Sequence, residues 1–261
     1  MNQYIDIGIN LMHRSYNRDR DGVVHTAAVA GVNRLIITGT NLPASRTAAD
    51  YAARHEGIYS TAGVHPHDAR NCDSRTIDGL RRLLKQPRVV AVGECGLDYD
   101  RNFSPPDLQR KWFEAQVQLA RDEHMPLFLH ERAAFKDFVA ILKSNKDVCG
   151  RAVVHCFTGT REELHAYLDL GCHIGITGWI CDERRGTQLR GLVKDIPADR
   201  LMIETDGPFL LPRNLGETPQ DRRNEPKFLP HIAAEIAALR GETLEHLAKA
   251  TTSNAKEFFG M

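Results

Sequence analysis

One stretch of ten residues decides the fold: Val89-Val90-Ala91-Val92-Gly93-Glu94-Cys95-Gly96-Leu97-Asp98. Its first residues are apolar and β-prone without alternation, which is typical of a strand buried on both faces, as in a parallel sheet. The run ends abruptly in Glu94, which lies between two glycines that let the backbone pass close to other groups. The stretch therefore predicts a buried parallel strand that delivers a carboxylate at its carboxyl end.

Three other runs follow the same pattern. Leu127-Phe128-Leu129 ends in His130, Ala152-Val153-Val154 ends in His155, and Leu201-Met202-Ile203 leads into Glu204-Thr205-Asp206. A barrel enzyme builds its active site at the carboxyl ends of its strands, so these side chains are expected to converge. Two imidazoles and two carboxylates form a ligand set for a divalent cation. The sequence thus predicts a metal site made of Glu94, His130, His155 and Asp206.

The rhythm of the chain favours an α/β fold, a single (β/α)8 barrel of the TIM type over residues 1–261. Strands are predicted at 4–9, 32–38, 58–64, 89–98, 127–130, 152–155, 173–177 and 201–204. Helices are predicted at 19–30, 43–55, 76–85, 105–123, 134–143 and 162–170, with more helices after Pro230. The alternative, an open doubly wound sheet, is weaker because Gly8-Ile9-Asn10-Leu11 follows the first strand where a GxGxxG turn is needed.

Composition limits the kind of substrate and the compartment. Among 261 residues, Lys+Arg 34 balances Asp+Glu 34, so a polyanion has to be held by a local patch rather than by a global field. The six cysteines are scattered, which indicates reduced thiols and an intracellular protein. The sequence has no signal peptide at its start and no run of membrane-spanning length. We therefore expect a soluble, cytoplasmic protein.

Five motifs standing in order give the chain a family resemblance. They are Gly63-Val64-His65-Pro66-His67, Gly93-Glu94-Cys95-Gly96-Leu97-Asp98, His155-Cys156-Phe157-Thr158-Gly159, Glu204-Thr205-Asp206-Gly207-Pro208 and Arg223-Asn224-Glu225-Pro226. Together they resemble the TatD family of metal-dependent deoxyribonucleases, within the amidohydrolase-like barrels. The resemblance runs the whole chain. It implies a metal-dependent hydrolase, and in particular a 3′-5′ exonuclease acting on single-stranded DNA and RNA ends, with a role in DNA repair and a monomeric state.

The resemblance also assigns roles to residues. It implies that Glu94, His130, His155 and Asp206 bind the metal, that His65 contacts the scissile phosphate, and that Glu204 lies beside the attacking water. The catalytic residues would be Glu204, Asp206 and His65, and the substrate-binding residues His65, His67, Arg223 and Asn224. Nitrogen ligands favour zinc or manganese on chemical grounds, whereas the family points to magnesium, which we take as the expected ion.

One departure from the family pattern concerns the first strand. Family members usually carry a His-x-His pair after an aspartate, but here Gly8 and Asn10 follow Asp6 at those two positions. Glycine has no ligating atom, and a neutral amide is a poor ligand for a cation of this kind. We therefore expect one tightly held ion, with any second ion bound weakly.

Several further residues have two interpretations. Asp98 either orients a metal ligand or caps a loop. Loop arginines form either a phosphate-binding rim or a solvated surface: Arg101, Arg184, Arg185, Arg213, Arg222 and Arg223. Loop aromatics either stack bases or pack in the core: Phe157, Trp179 and Phe209.

Two functional alternatives stay open from the residues alone. The first keeps the metal site but cuts a different bond, as in a D-aminoacyl-tRNA deacylase or another ester or amide hydrolase. The second is a non-enzymatic nucleic-acid-binding or protein-binding barrel with a relic site. Loss of the first-strand histidines favours the relic, and retention of the other four ligands opposes it.

Overall fold

In the computed structural model, which describes residues 2–261, eight strands lie in one sheet in the order in which they occur along the chain. Their bounds are β1 (Tyr4–Ile9), β2 (Val32–Ile37), β3 (Ile58–Ala62), β4 (Val89–Asp98), β5 (Leu127–Arg132), β6 (Ala152–Val154), β7 (His173–Ile176) and β8 (Leu201–Ile203). The β3–β4, β4–β5, β5–β6 and β7–β8 pairs are parallel. Eight sequential strands alternating with helices define a (β/α)8 barrel. The predicted fold class is confirmed, and the doubly wound alternative is wrong.

The helices of the described residues correspond to the predicted ones within three residues, with two additions. They are α1 (Arg20–Val29), α2 (Leu42–Ala52), α3 (Thr76–Leu84), α4 (Pro106–Asp122), α5 (Phe135–Ser144), α6 (Lys146–Cys149), α7 (Arg161–Asp169), α8 (Thr187–Leu192), α9 (Leu229–Arg240) and α10 (Leu244–Phe259). The short helices α6 and α8 were not predicted, because four to six residues are too few to show a helical period. Within residues 2–261, no helix has both the length and the apolarity needed to cross a membrane.

The strand ends differ from the prediction in a way that matters for the site. Strands β2, β3, β6, β7 and β8 end one or two residues early, so that His155 and Glu204 follow their strands. The amide of His155 still donates to Leu129 O at 2.9 Å, and the next residue, Cys156, turns the chain with a φ of 48°. Strand β5 is longer than predicted because it pairs with the last residues of β4, with Asp98 opposite Arg132.

The chain divides into two compact units, and each is described by itself. The first comprises residues up to Ile36, Cys156–Leu164 and Ile174 to the end, and the second comprises Ile37–His155 and His165–His173. In the second unit all ten residues of β4 are buried, as the opening stretch predicts for a strand covered on both faces. The single-domain assignment over 1–261 stays a prediction.

Each unit has an apolar core of its own. In the first unit, Ile7 and Ile9 on β1 and Ile236 on α9 have no exposed surface. In the second unit, the rings of Phe113 and Phe138 stack at 5.2 Å, with the ring of Tyr167 edge-on to Phe138 at 5.7 Å. Such cores keep the strands fixed, so that side chains at the strand ends are held in place.

Candidate metal centre

Strand β4 aims the Glu94 side chain through an irregularity in its pairing with β5. The register shifts between Gly93 and Cys95, which leaves Glu94 as the extra residue of a bulge, a device that re-aims side chains. Gly93 and Gly96 have φ values of 141° and 145°, which residues with side chains rarely adopt. A side chain at Gly96 would also overlap the carbonyl oxygen of His130. The two glycines that flank Glu94 in the sequence are therefore required by the backbone.

Three imidazoles converge on a single oxygen of Glu94. The distances to Glu94 Oε1 are 2.9 Å from His155 Nε2, 3.0 Å from His130 Nδ1 and 3.3 Å from His65 Nε2. The potential ligand atoms of His65, Glu94 and His130 all lie within 4.8 Å of one another. The structure thus brings together three of the four predicted metal ligands, all in the second unit, and adds His65 to them. Asp206 belongs to the first unit, and its role as a ligand stays a prediction.

A hydrogen bond orients the ring of His65, and a nearby carboxylate orients the ring of His130. His65 Nδ1 accepts from the backbone N–H of His67 at 3.1 Å, so in the neutral ring the proton lies on Nε2, which faces Glu94. Behind His130, Oδ2 of the buried Asp98 lies 3.5 Å from Nε2 and so directs Nδ1 toward Glu94. A carboxylate behind a ligating histidine is the usual way in which a metal site fixes that ring.

Asp98 combines both roles that the sequence leaves open. Its Oδ1 accepts from the amides of Asp100 and Arg101 at 3.1 and 2.9 Å, which caps the loop after β4. Its Oδ2 faces His130 and lies 2.6 Å from His67 Nε2. The backbone of Asp98 is itself held by the buried Gln109 side chain.

Electrostatics keep both carboxyl groups of this cluster ionised. Burial alone would raise the pKa of Glu94, but the surrounding imidazoles outweigh it and lower the pKa well below its usual value. Burial is likewise outweighed at Asp98, where His130 and His67 lower the pKa. Burial lowers the pKa of His65 against the pull of Glu94, whereas at His130 Asp98 and Glu94 outweigh burial and raise the pKa.

The residues present fit a divalent cation. Imidazole nitrogens and a carboxylate oxygen are the donors that borderline divalent ions take, and here they surround one buried point. His130 Nε2 is buried and has no hydrogen-bond partner among residues 2–261, and Asp98 Oδ2 lies 3.5 Å from it, so the centre contains a polar ring nitrogen that the protein leaves unsatisfied. The donor set therefore supports a metal centre, and several divalent ions would satisfy it.

The first unit carries a second polar cluster, at the ends of β1 and β8. Glu204 has no exposed surface, and its Oε1 accepts from the amide of Cys156 at 2.6 Å. The fully buried Asp6 holds the next residue, Thr205, by accepting from its amide at 2.9 Å and from its hydroxyl. Sequence reasoning missed this role for Asp6, although an aspartate inside the apolar run of β1 was a signal for it.

Asn10, one of the two residues that replace the family's histidines, contacts a predicted metal ligand. Its Nδ2 donates to Asp206 Oδ1 at 2.9 Å, and the amide of Asp206 donates to Gly8 O at 2.9 Å. Asp206 has a φ of 53°, so its side chain leaves the backbone at the turn that follows β8. The amide of Asn10 therefore engages one oxygen of the Asp206 carboxylate. A histidine at position 10 would instead offer a ring nitrogen as a further metal ligand.

Two predicted substrate-binding residues have structural partners. Asn224 has no exposed surface, and its Nδ2 donates to the carbonyls of Thr205 and Phe209 at 2.8 and 2.7 Å. Arg223 pairs with Asp19 and Glu225 at 2.7 and 2.6 Å. These contacts support the loop after β8, and direct contact of either residue with substrate stays a prediction.

The three predicted loop aromatics separate by exposure. Phe157 is only 3% exposed and belongs to the core, whereas Phe209 is 50% exposed. Trp179 is partly buried beneath the guanidinium of Arg185, at 4.7 Å. Phe209 is thus the one of the three whose ring is open to solvent.

The chain is similar to known proteins over nearly its whole length. The model of the family described as TatD related DNase matches residues 5–260. The 3′-5′ ssDNA/RNA exonuclease TatD of Escherichia coli (strain K12) is 51% identical over 256 residues, covering 98% of each chain. The protein of the same name from Salmonella typhimurium (strain LT2) is 48% identical over 254 residues, covering 97% of this chain and 98% of the other.

Solved structures give the same result. The TatD homologue YJJV from Escherichia coli K12 has a TM-score of 0.91 at 26% identity, covering 99% of this chain and 98% of the other. A hydrolase of the TatD family from Entamoeba histolytica has a TM-score of 0.89 at 28% identity, with the same coverage.

Proposed function

Because the chain belongs to the family of TatD-related DNases, we propose that it is a metal-dependent 3′-5′ exonuclease that hydrolyses phosphodiester bonds at the ends of single-stranded DNA and RNA. The predictions of this family and of a hydrolytic nuclease are confirmed by the family match and the relatives at about half identity. The observation that carries the metal dependence is the convergence of three imidazoles on Glu94 Oε1. Ionised carboxylates that are buried among imidazole nitrogens are costly unless a cation compensates them, which favours a metal-dependent enzyme over a barrel with a relic site.

The residues that would hold the ion are Glu94, His130 and His155, with Asp206 as the proposed fourth ligand. A divalent ion bound there would polarise a phosphoryl oxygen and lower the pKa of a water. Magnesium is the ion that we propose, because it keeps several waters and readily takes phosphate oxygens.

Glu204 and Asp206 are the proposed proton acceptors. The amide of Cys156 fixes Oε1 of the buried Glu204, so this carboxylate is already oriented before substrate arrives. Thr205 lies between the two acids in the chain, and its amide donates to Asp6, which fixes the backbone that carries both carboxylates. We propose that Glu204 takes the proton of the attacking water while Asp206 helps to orient that water.

His65 and His67 are the proposed contacts to the scissile nucleotide. With Nδ1 engaged by the backbone, the neutral His65 ring offers Nε2–H as a donor, which suits a phosphate oxygen. The ring of His67 lies edge-on to Phe103 at 4.7 Å, and Phe103 is 53% exposed. An exposed ring next to a phosphate donor is a suitable surface for stacking a base.

We also propose a cytoplasmic monomer that trims nucleic-acid ends during DNA repair. The proposed substrates, single-stranded DNA and RNA, are intracellular polymers. Arg223 and Asn224 would act by holding the loop that carries Asp206.

The test follows the products of a single-stranded oligonucleotide labelled at either end, with and without chelator. We expect stepwise shortening from the 3′ end that stops with chelator and returns with Mg²⁺. A closed circular single strand of the same composition is the control, because it offers no end. Comparable cutting of the circle, or activity that survives chelation, would contradict the proposal.

A further inference from the structure

A pocket of about 520 Å³ lies between two loops of the first unit, the loop after β7 and the long loop after β8. Four arginines and two acids contribute to its wall: Arg184, Arg185, Arg213, Arg222, Asp182 and Glu183. We call it the arginine pocket. Four guanidinium groups against two carboxylates leave it with a net charge of +2, although the chain as a whole is neutral.

A buried carboxylate organises one side of the arginine pocket. Asp182 is 3% exposed, and its Oδ2 lies 2.9 Å from Arg185 Nε and 3.0 Å from Arg213 Nε. Its Oδ1 accepts from the amides of Arg184 and Arg185 at 3.1 and 3.2 Å. Burial alone would raise the pKa of Asp182, but these partners outweigh it and lower the pKa to about 2, so the anchor stays ionised.

The arginines keep hydrogen-bonding capacity for a ligand. Asp182 engages Arg185 and Arg213 through Nε, and within residues 2–261 neither donates from its terminal nitrogens. Arg184 and Arg222 have no side-chain partner among the described residues. The ring of Trp179 supports the guanidinium of Arg185 at 4.7 Å. Fixed guanidinium groups with unused N–H donors match the geometry of phosphate oxygens.

The other two loop arginines singled out in the sequence do not contribute to the arginine pocket: one is fully paired, and the other lies in the second unit. Arg223 is saturated by Asp19 and Glu225 and lies over the ring of Tyr16 at 4.9 Å. Arg101 follows β4 in the second unit, next to Asp100 at 3.7 Å. Phosphate contact therefore concentrates on the arginine pocket rather than on a general rim.

The arginine pocket is continuous with the chain that carries the candidate catalytic acids. Its residues Leu210–Asn214 begin four positions after Asp206 in the same loop. The two loops are in backbone contact, since a side chain at Gly178 would overlap the carbonyl oxygen of Leu210. The loop that carries Asp206 therefore also supplies part of the wall of the arginine pocket, within the same unit.

We propose that the arginine pocket binds backbone phosphates of a single-stranded polynucleotide on the 5′ side of the bond that is cut. This inference rests on the proposed exonuclease function. It makes the enzyme prefer strands long enough to reach the pocket, because a dinucleotide has no phosphate to place there.

The test compares two double variants on two substrate lengths. Arg184→Gln/Arg222→Gln removes the two unpaired charges of the pocket without breaking an ion pair. The matched control, Arg46→Gln/Arg82→Gln, removes two exposed charges on helices α2 and α3 that have no ion-pair partner among residues 2–261. We expect the pocket variant to raise KM for a 20-mer roughly tenfold at unchanged kcat, with a dinucleotide hydrolysed as by the parent and by the control.

An equal loss on both lengths, or no loss on either, would overturn the proposal. Inhibition of the parent, but not of the pocket variant, by free mononucleotide would also overturn it, since it would assign the pocket to a product instead. Binding of a labelled 20-mer, measured in chelator, distinguishes a failure of the phosphate site from a failure of the exonuclease function. If the parent hydrolyses nothing but binding still weakens only in the pocket variant, the exonuclease function fails and the phosphate site stands.

Discussion

At the scale of single residues, one oxygen atom organises the second unit's polar cluster. Glu94 Oε1 has three imidazole nitrogens within 3.3 Å, an arrangement that concentrates nitrogen donors around a buried negative charge. Only a cation, either a proton on an imidazole or a metal ion, can compensate that charge away from water. We therefore expect single substitutions of the imidazoles around Glu94 to change how much metal the protein retains.

Replacing His130 or His155 with alanine should remove the metal and leave the fold intact. Each loses a nitrogen from the donor set, while the apolar core of the second unit is unchanged. Metal content after dialysis, measured by mass spectrometry, should fall by roughly tenfold or more, with the circular dichroism of the parent retained. His246→Ala removes a 63%-exposed imidazole elsewhere and serves as the control. Metal content equal to that of the parent in both variants would show that the ligands are assigned wrongly.

Asp6 should give folding stability a pH dependence. Burial raises its pKa to about 7 against the opposing hydrogen bonds from Thr205, compared with roughly 3.9 in the unfolded chain. The folded state therefore holds a proton that the unfolded state has lost. The contribution of Asp6 is fully present below about pH 4 and is lost as the pH rises through about 7, at a cost on the order of 2–4 kcal/mol.

The substitution Asp6→Asn tests this dependence. Asparagine keeps an acceptor for the amides of Gly8 and Thr205 and carries no charge at any pH. Urea unfolding in chelator at pH 5.0 and pH 7.5 should show the variant gaining stability relative to the parent as the pH rises. Groups common to both proteins cancel in this difference. A difference in unfolding free energy that is the same at both pH values would rule out titration of Asp6.

At the scale of elements, β4 presents its candidate ligand through a break in its own regularity. Strand β4 is bulged at Glu94 and needs glycine on both sides, and the chain turns at Cys156 directly after His155. Strand β1 is buried over its whole length, and of the two residues that replace the family's histidines, Gly8 lies within it and Asn10 follows directly after it. We therefore expect the number of bound metal ions to depend on the side chains at positions 8 and 10.

The double variant Gly8→His, Asn10→His should gain a second tightly bound ion. In the parent, Asn10 donates an amide hydrogen bond to Asp206 where an imidazole would offer a lone pair. Calorimetric titration of Mn²⁺ into stripped protein should give one tight site in the parent, a second weak one only with a non-hydrolysable oligonucleotide, and two tight sites in the variant. Gly8→Ala, Asn10→Ala is the control without imidazoles. Two equally tight ions in the substrate-free parent would contradict the expectation, and a histidine variant with one ion would contradict the geometry assumed for β1.

At the scale of the whole molecule, charge is balanced overall and uneven locally. The 34 basic and 34 acidic residues cancel, yet the arginine pocket alone carries +2. From this charge distribution we expect the protein to hold a few phosphates of a strand at the arginine pocket, without contacts along a long duplex.

Binding of single-stranded DNA should therefore depend only weakly on salt. For single strands the slope of log K against log salt is about −0.7 per phosphate neutralised, so two to four contacts give roughly −1.4 to −2.8. Fluorescence anisotropy of a labelled 20-mer in chelator, from 50 to 300 mM salt, measures this slope. A slope steeper than about −5 would mean that an extended surface binds the strand.

The sequence by itself determined the fold class and pointed to most polar residues of the candidate site. Apolar runs without alternation predict parallel strands, because such strands are buried on both faces. The polar residues that end these runs, Glu94, His130, His155 and Glu204, indicate where candidate functional side chains lie. Strand β4 was predicted to the residue, since its pattern is local. The short helices α6 and α8 were missed because four to six residues carry no period, and their formation depends on packing.

Only the tertiary structure decided how these residues are used. It put His65 on the same carboxylate oxygen as two predicted ligands and made Asp6 the support of Thr205. It also gave Asn224 and Arg223 internal partners and collected four arginines in one pocket, two of them paired with Asp182. Each of these contacts joins positions that the sequence pattern treats separately, and whether a polar side chain pairs internally or is left for a ligand is a matter of distances of a few ångströms. Periodicity reports which face a residue occupies, whereas hydrogen bonds, burial and charge pairing depend on partners that only the folded chain supplies.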